Sequence, residues 1–421
     1  MTKNKRMFAT IAVVLMLALL LGACTGGTAP AADGGTAPSS NNDGGTAAAD
    51  GDVFLIGTFL PLSGGNAAFG VESRNALEMA VEMINDDGGF NGVRVELVPY
   101  DVTTPEAAVS VTNRLIEAHN INALIGSMVS SEILAIGHIA NDAQVLTFGM
   151  GTSPTWMEPD WPFVFRAAMN SDRAMGLTAD MVTEMEMSRV AIFAGLDDSS
   201  IATADAFAAE SAARNIEVVA RESHNTGDTD FSAQIANILA SNPHAVFFAT
   251  MGDVTPNFVR QLRQLGWDGI IINKEAFAVF QAEVAGLENT DHIIWTNPYV
   301  TYVSSDLAAD IPVMQQFLEQ YRERWGEYPQ TETSYRAWDA IMSLWEAAKI
   351  APDNSPESLR LAANQVVFEG LGGTLDFTNG DREGYAVFNR FIMLGGNSYL
   401  FDTWLAEGGY QEFLEATGRD F

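Results

Sequence analysis

Val53-Phe-Leu-Ile-Gly-Thr-Phe-Leu60, stopped by Pro61, is the stretch on which the fold turns. Its apolar residues do not alternate with polar ones, so it reads as a strand covered on both faces. A Gly-rich loop follows. Leu77, Ala80, Val81 and Ile84 then recur at i, i+3, i+4 and i+7, one apolar stripe of a helix that Asp87-Gly88-Gly89 stops. Val93 to Pro99 alternates as a second strand, with Arg94 and Glu96 outward.

The same alternation continues outward from that unit. Pro105 to Ala118 reads as a helix, Ala123 to Gly126 as a strand, Ser131 to Asp142 as a helix and Val145 to Phe148 as a strand. A second series begins with strand Val190–Ala194 and helix Ile201–Arg214. It runs through strands at 216–220, 245–250 and 270–273, with helices at 231–240 and 254–265 between them. Helices at 311–325 and 334–348 and a β-rich tail at 373–401, with a turn signal at Asn379-Gly380-Asp381, complete the chain. Strand–helix alternation of this kind predicts an α/β fold of two doubly wound lobes, parallel sheets with helices on both faces. The folded part, about 370 residues, exceeds the usual single core, which also favours two domains.

Ahead of the fold, Lys3, Lys5 and Arg6 precede the apolar run Met7–Leu21, and Leu21-Gly22-Ala23-Cys24 follows. That is the layout of a secretory signal, and the run is shorter than the roughly 20 residues a spanning helix needs. Residues 1–23 are therefore expected to be a signal peptide. Cys24 is the single cysteine, so it forms no intrachain disulfide, and its position resembles the lipidation site of bacterial lipoproteins. Residues 24–51 carry Gly-Gly-Thr-Ala-Pro at 26–30 and 34–38 and no large apolar side chain after Cys24. Nothing there offsets the entropy of ordering, so the segment is expected to be a flexible spacer to the membrane.

The chain has 22 basic and 54 acidic residues; three of the basics precede Cys24, leaving 19 and a mature net charge of −35. This opposes binding to nucleic acid or anionic lipid surfaces, which select basic patches. His119, His138, His224, His244 and His292 have no metal-ligand spacing. There is no nucleophile-elbow, phosphate-loop or dinucleotide motif, and with Cys24 lipidated no thiol nucleophile remains. No cofactor, metal or catalytic residue is expected, and an enzyme is disfavoured.

The segments Pro61–Gly70, Asp86–Gly92, Leu124–Ser131, Gly151–Pro154, Phe231–Leu239 and Asn273-Lys-Glu275 together resemble type I periplasmic binding proteins. The likeness is to the leucine/isoleucine/valine-binding family of ABC importers. It implies two lobes joined by three crossovers, expected near Asn170, Asn297 and Gly372. Lobe 1 is expected to hold 52–170 plus 298–371, and lobe 2 to hold 171–297 plus 372–421.

Ser130 and Ser131 stand where a strand gives way to a helix, so they suit either an anionic ligand group or plain N-capping. The resemblance implies that Ser130 holds a ligand carboxylate. It further implies that Thr152 touches the ligand backbone, Met150 offers a carbonyl, Glu275 pairs with an ammonium and Phe69 packs on the ligand. Where that family has tyrosine lids, the chain has Ser199 and Met251, with Asp197, Asp198 and Asp253 nearby. The expected function is capture of an amino acid, branched-chain or related, in a cleft between the lobes and delivery to an ABC permease with its ATPase, as a monomer anchored outside the membrane by Cys24. A ligand-sensing receptor component for a small amide, carboxylate or amino acid is the alternative.

Overall fold

The computed structural model describes residues 53–225, 227–250, 252–298, 311–385 and 387–420. The apolar run before Cys24, Cys24 itself, the linker and Met251 lie outside the described residues. Strands β1 (Val53–Leu60), β2 (Arg94–Asp101), β3 (Ala123–Gly126), β4 (Leu146–Gly149) and β5 (Val164–Arg166) form one parallel sheet in the order β2-β1-β3-β4-β5. The second sheet runs β7-β6-β8-β9-β10 with parallel pairing. Its strands are β6 (Arg189–Gly195), β7 (Glu217–His224), β8 (Ala245–Ala249), β9 (Ile270–Asn273) and β10 (Ile293–Asn297). Hairpin Asn389–Leu394 and Asn397–Leu400 extends this sheet antiparallel beside β10.

Both sheets are covered on both faces, which is why the inner strands β1, β3, β4, β8 and β9 are almost wholly apolar, whereas the edge strands β2 and β7 carry charged residues. Helices Ala67–Asp86 and Thr333–Ile350 pack Leu77, Ile84, Trp338 and Leu344 on one face of the first sheet. Helices Pro105–Glu117 and Ser130–Asp142 bring Leu115 and Ile136 to Phe59 and Leu124 on the other. The Pro105 helix starts there because Thr104 Oγ1 accepts from Ala107 N–H and Pro105 is preset for the first turn. In β8, adjacent phenylalanines face opposite cores: Phe247 stacks on Phe207 at 4.1 Å, and Phe248 lies against Phe258 at 5.8 Å. That is the twofold side-chain period of a strand buried on both sides.

The chain first leaves the sheet after Arg166, and helix Ser171–Glu184 carries Ala174 and Met175 into the second core. It leaves the second sheet again after Asn297. The third passage differs from the boundary at 372. Asp339 accepts from the N–H groups of Leu371 (2.8 Å) and Gly372 (3.1 Å) and from the Tyr385 hydroxyl. Leu375, Phe377 and Tyr385 pack in the first core. Residues 373–385 therefore stay with the first lobe, and the passage falls between Tyr385 and Asn389.

The first-lobe ends of two of these passages are bonded to each other. Arg166 N–H donates to Arg382 O at 2.9 Å, and Gly384 N–H to Arg166 O at 3.2 Å. Glu383 accepts from Asn170 Nδ2 through both oxygens, at 3.1 and 2.9 Å, and its carboxylate lies 3.7 Å from Arg166 Nη1.

Candidate functional site

In doubly wound sheets the carboxyl ends of the strands carry the ligand-binding loops. At that end of the first sheet, Ser130 Oγ accepts from Ser153 N–H at 3.1 Å, which pins the loop after β4 to the start of helix Ser130–Asp142. Gly151 is needed for the approach: a Cβ there would lie 2.6 Å from Ser130 Oγ. The carbonyl of Ser153 accepts from the buried Arg166 guanidinium at 2.6 Å, which lies over the Trp156 ring at 4.6 Å. Thr152 is thus presented on a loop held from both sides.

Glu275 comes from the loop after β9, in the other lobe, and meets that loop directly. Thr152 Oγ1 donates to Glu275 Oε1 at 3.0 Å. Arg336 Nη2, on helix Thr333–Ile350 of the first lobe, donates to Glu275 Oε2 at 2.7 Å and to Glu332 Oε1 at 2.7 Å. Lys274 Nζ sits 3.2 Å from Glu275 Oε1 and donates to Ser199 Oγ at 3.0 Å. All of these charged groups are buried. A second bridge between the lobes joins Thr155 Oγ1 to Asp198 Oδ2 at 3.1 Å.

Burial alone would raise the Glu275 carboxyl, but the Lys274 and Arg336 cations override it and hold it well below the usual carboxylate range. Glu332 goes the other way: burial pushes its carboxyl up, with Arg336 opposing and Glu275 adding to the rise. The two carboxyls joined by Arg336 are therefore shifted in opposite directions.

Lys274, Glu275 and Glu332 border a cleft of ≈ 290 Å³, its open mouth included. Of the residues singled out from the sequence, Phe69 and Glu275 line it. Phe69 makes an edge contact with Phe280 of the other lobe, ring centroids 5.5 Å apart. Thr152 reaches the cleft through Glu275, and Ser199 through Lys274. Met150 is fully buried, and its carbonyl accepts from Arg336 Nη1 at 3.3 Å. The residue capping the Ser130 helix is Val129, so Ser130 is not its N-cap; Ser131 is half-buried on the first turn. Asp197 caps the next lobe's first-strand helix by accepting from Ser200 N–H at 3.0 Å. Asp253 is exposed, with Oδ2 3.6 Å from the position a Gly65 Cβ would take at the mouth.

Sequence reasoning missed Arg336 and Glu332. Their i, i+4 spacing was the available signal, but it reads as an ordinary surface pair on a helix. Among the described residues no His, Asp or Glu group is placed to hold a metal ion, and no helix is long and apolar enough to cross a membrane.

Residues 55–388 match the family model described as periplasmic binding protein. An amino acid binding protein of Pseudomonas aeruginosa is 28% identical over 311 residues, spanning 72% of this chain and 80% of its own. Leu/Ile/Val-binding protein homolog 1 of Brucella abortus is 25% identical over 361 residues, 83% of this chain and 91% of its own. The crystal structure of a leucine binding protein from Thermotoga maritima, 26% identical, aligns with a TM-score of 0.74 over 83% of this chain and 97% of its own.

Proposed function

This chain belongs to the periplasmic binding protein family, and from that premise we propose that it is the substrate-binding lipoprotein of an ABC importer, closing on an amino acid and delivering it to a permease and its ATPase. The family binds ligands without turning them over, and the chain is a substrate-binding protein rather than an enzyme. Cys24 holds it outside the membrane as a monomer in this reading.

The observation that carries the amino-acid reading is the contact of Glu275 with Thr152 across the cleft. Lys274 and Arg336 keep Glu275 ionised, the state that an ammonium group requires. An incoming ammonium would take a donor's place between Glu275 and Thr152. The carboxylate would lie toward Ser130, Ser131 and the loop at the start of their helix, where N–H groups and the helix dipole favour an anion. Phe69 forms a wall, and the Met150 carbonyl, Ser199 and Met251 border the ligand in the same scheme.

A thermal-shift screen of the full chain in detergent against amino acids tests this, since a ligand at 100 times its Kd adds about 2.7 kcal/mol. Glu275→Gln weakens the best ligand by about 1.5–3 kcal/mol, the worth of a charge-assisted bond. Unchanged affinity removes Glu275 from the ligand. Cys24→Ser should move the chain from the membrane fraction to the soluble one; continued sedimentation with membranes refutes the anchor.

A further inference from the structure

The cleft wall is mostly polar. Phe69 and Ala276 are its apolar side chains among the described residues, whereas Thr250, Thr255, Asn273, Gln281 and Glu332 line the rest beside the ion pair of Lys274 and Glu275. Several of those polar groups are already engaged within the protein. Thr250 Oγ1 is in hydrogen-bond contact with His224 Nε2 at 2.7 Å. Gln281 accepts from Ala278 N–H at 3.0 Å and donates to Gly252 O at 3.2 Å. Lys274 is shared between Ser199 and Glu275.

Two acceptors on the same wall are not engaged. Glu332 Oε2 and Asn273 Oδ1 have no hydrogen-bond partner among the described residues, although each residue is only 3% exposed. Glu332 uses its other oxygen on Arg336. Buried acceptors left dry are costly, so both are suited to donors that arrive with the ligand. A branched aliphatic side chain offers none and would seal both oxygens from water.

We propose that Glu332 and Asn273 form a side-chain subsite for N–H donors, so that the preferred ligand is an amino acid whose side chain ends in a carboxamide or an amine rather than a branched alkyl group. This rests on the amino-acid reading above. Glu275 and Thr152 take the ammonium common to all amino acids, and the second carboxylate selects among them. Sites built to hydrogen-bond a ligand reject analogues that lack the group far more strongly than apolar pockets reject a methylene.

Titration calorimetry of the full chain with glutamine, lysine and leucine reads the subsite directly. Glutamine or lysine should bind at least about tenfold tighter than leucine, the discrimination expected from leaving a buried acceptor dry. Lysine ahead of glutamine assigns a cationic partner to Glu332, and the reverse assigns an amide; either supports the subsite. Glu332→Gln keeps the shape but places an NH₂ or a neutral oxygen at the subsite, and should cut the gap to about threefold or less by weakening the polar ligand. Asn273→Ser, in an otherwise unchanged strand, should narrow it independently should Glu332→Gln not fold. Leucine binding as tightly as both polar ligands overturns the subsite while leaving the amino-acid reading intact, as does a gap that neither variant changes. Binding of none of the three overturns both.

Discussion

Replacing Arg336 with Met removes a group that joins both cleft carboxylates. The side chain is fully buried; its guanidinium reaches Glu275 and Glu332 at 2.7 Å each and the Met150 carbonyl at 3.3 Å. Methionine fills much of the volume, so the cavity contribution is small and the electrostatic one dominates. Stripping one partner from a buried ion pair costs about 3–5 kcal/mol. Lys274 still neutralises Glu275 in the variant, so Glu332 bears the larger loss. Its cheapest response is to bind a proton, which costs about 1.4 kcal/mol for every pH unit above its unfolded pKa. The folded pKa rises, the folded chain holds the extra proton, and stability is lost as pH rises. Urea unfolding followed by tryptophan fluorescence should therefore show a loss of about 3–5 kcal/mol at pH 8 and a clearly smaller one at pH 5.5. Adding Glu332→Gln to Arg336→Met should recover much of the loss at pH 8. A loss under about 1 kcal/mol at pH 8, the scale of an exposed pair, would refute the reasoning. So would an equal loss at both pH values, which would make the cost one of packing.

Thr155→Val removes the donor to Asp198, a bond that joins the two lobes when they are closed. At about 1 kcal/mol for such a bond, the ligand Kd should rise roughly fivefold, chiefly through faster release; stopped-flow dissociation that matches the unaltered chain contradicts this. Burial pushes the carboxyls of Glu72, Glu132 and Asp339 up to about 7. Their unfolded values lie near 4, so the folded chain binds more protons across that window, and their stabilising effect is complete below it and lost as pH rises through it. Glu275 acts in the opposite sense, but its stabilisation is lost only as pH falls below the ordinary carboxylate range. Repulsion within a chain of net charge −32 adds to the alkaline loss. The melting temperature should be higher at pH 5 than at pH 8, and a higher value at pH 8 would contradict the assignment.

The sheets were legible because strands buried on both faces are apolar nearly throughout, as Ala123-Leu124-Ile125 and Ile270-Ile271-Ile272 are. The two-lobed α/β class followed from the repeat of that pattern. The third passage was misplaced for a physical reason. Leu371-Gly372-Gly373 reads as a break, yet Asp339 holds it in the first lobe from a helix more than thirty residues earlier, and no local pattern encodes that bond. The cleft was legible in part. Thr152 and Glu275 stand beside strand ends, where loop position is visible in sequence, and the structure brings them into contact. Arg336 lies within helix Thr333–Ile350 and Glu332 at its N-cap position, where charged residues look like a solvated face until tertiary packing covers them. Neighbouring acids were equally opaque: Asp197 caps its own helix, while Asp198 crosses to Thr155.

The bonds that lace residues 166–170 to residues 382–384 bear on how this molecule works as a machine. They tie residues next to the first passage to residues just before the third, on the first lobe's own side, so parting the lobes need not break them. Two of the three connecting segments are thereby fixed to each other at their first-lobe ends. The work of opening is left to the few contacts at the far side of the gap, chiefly those of Glu275 and Asp198. Evolution could therefore retune holding strength by altering those contacts without softening the pivot.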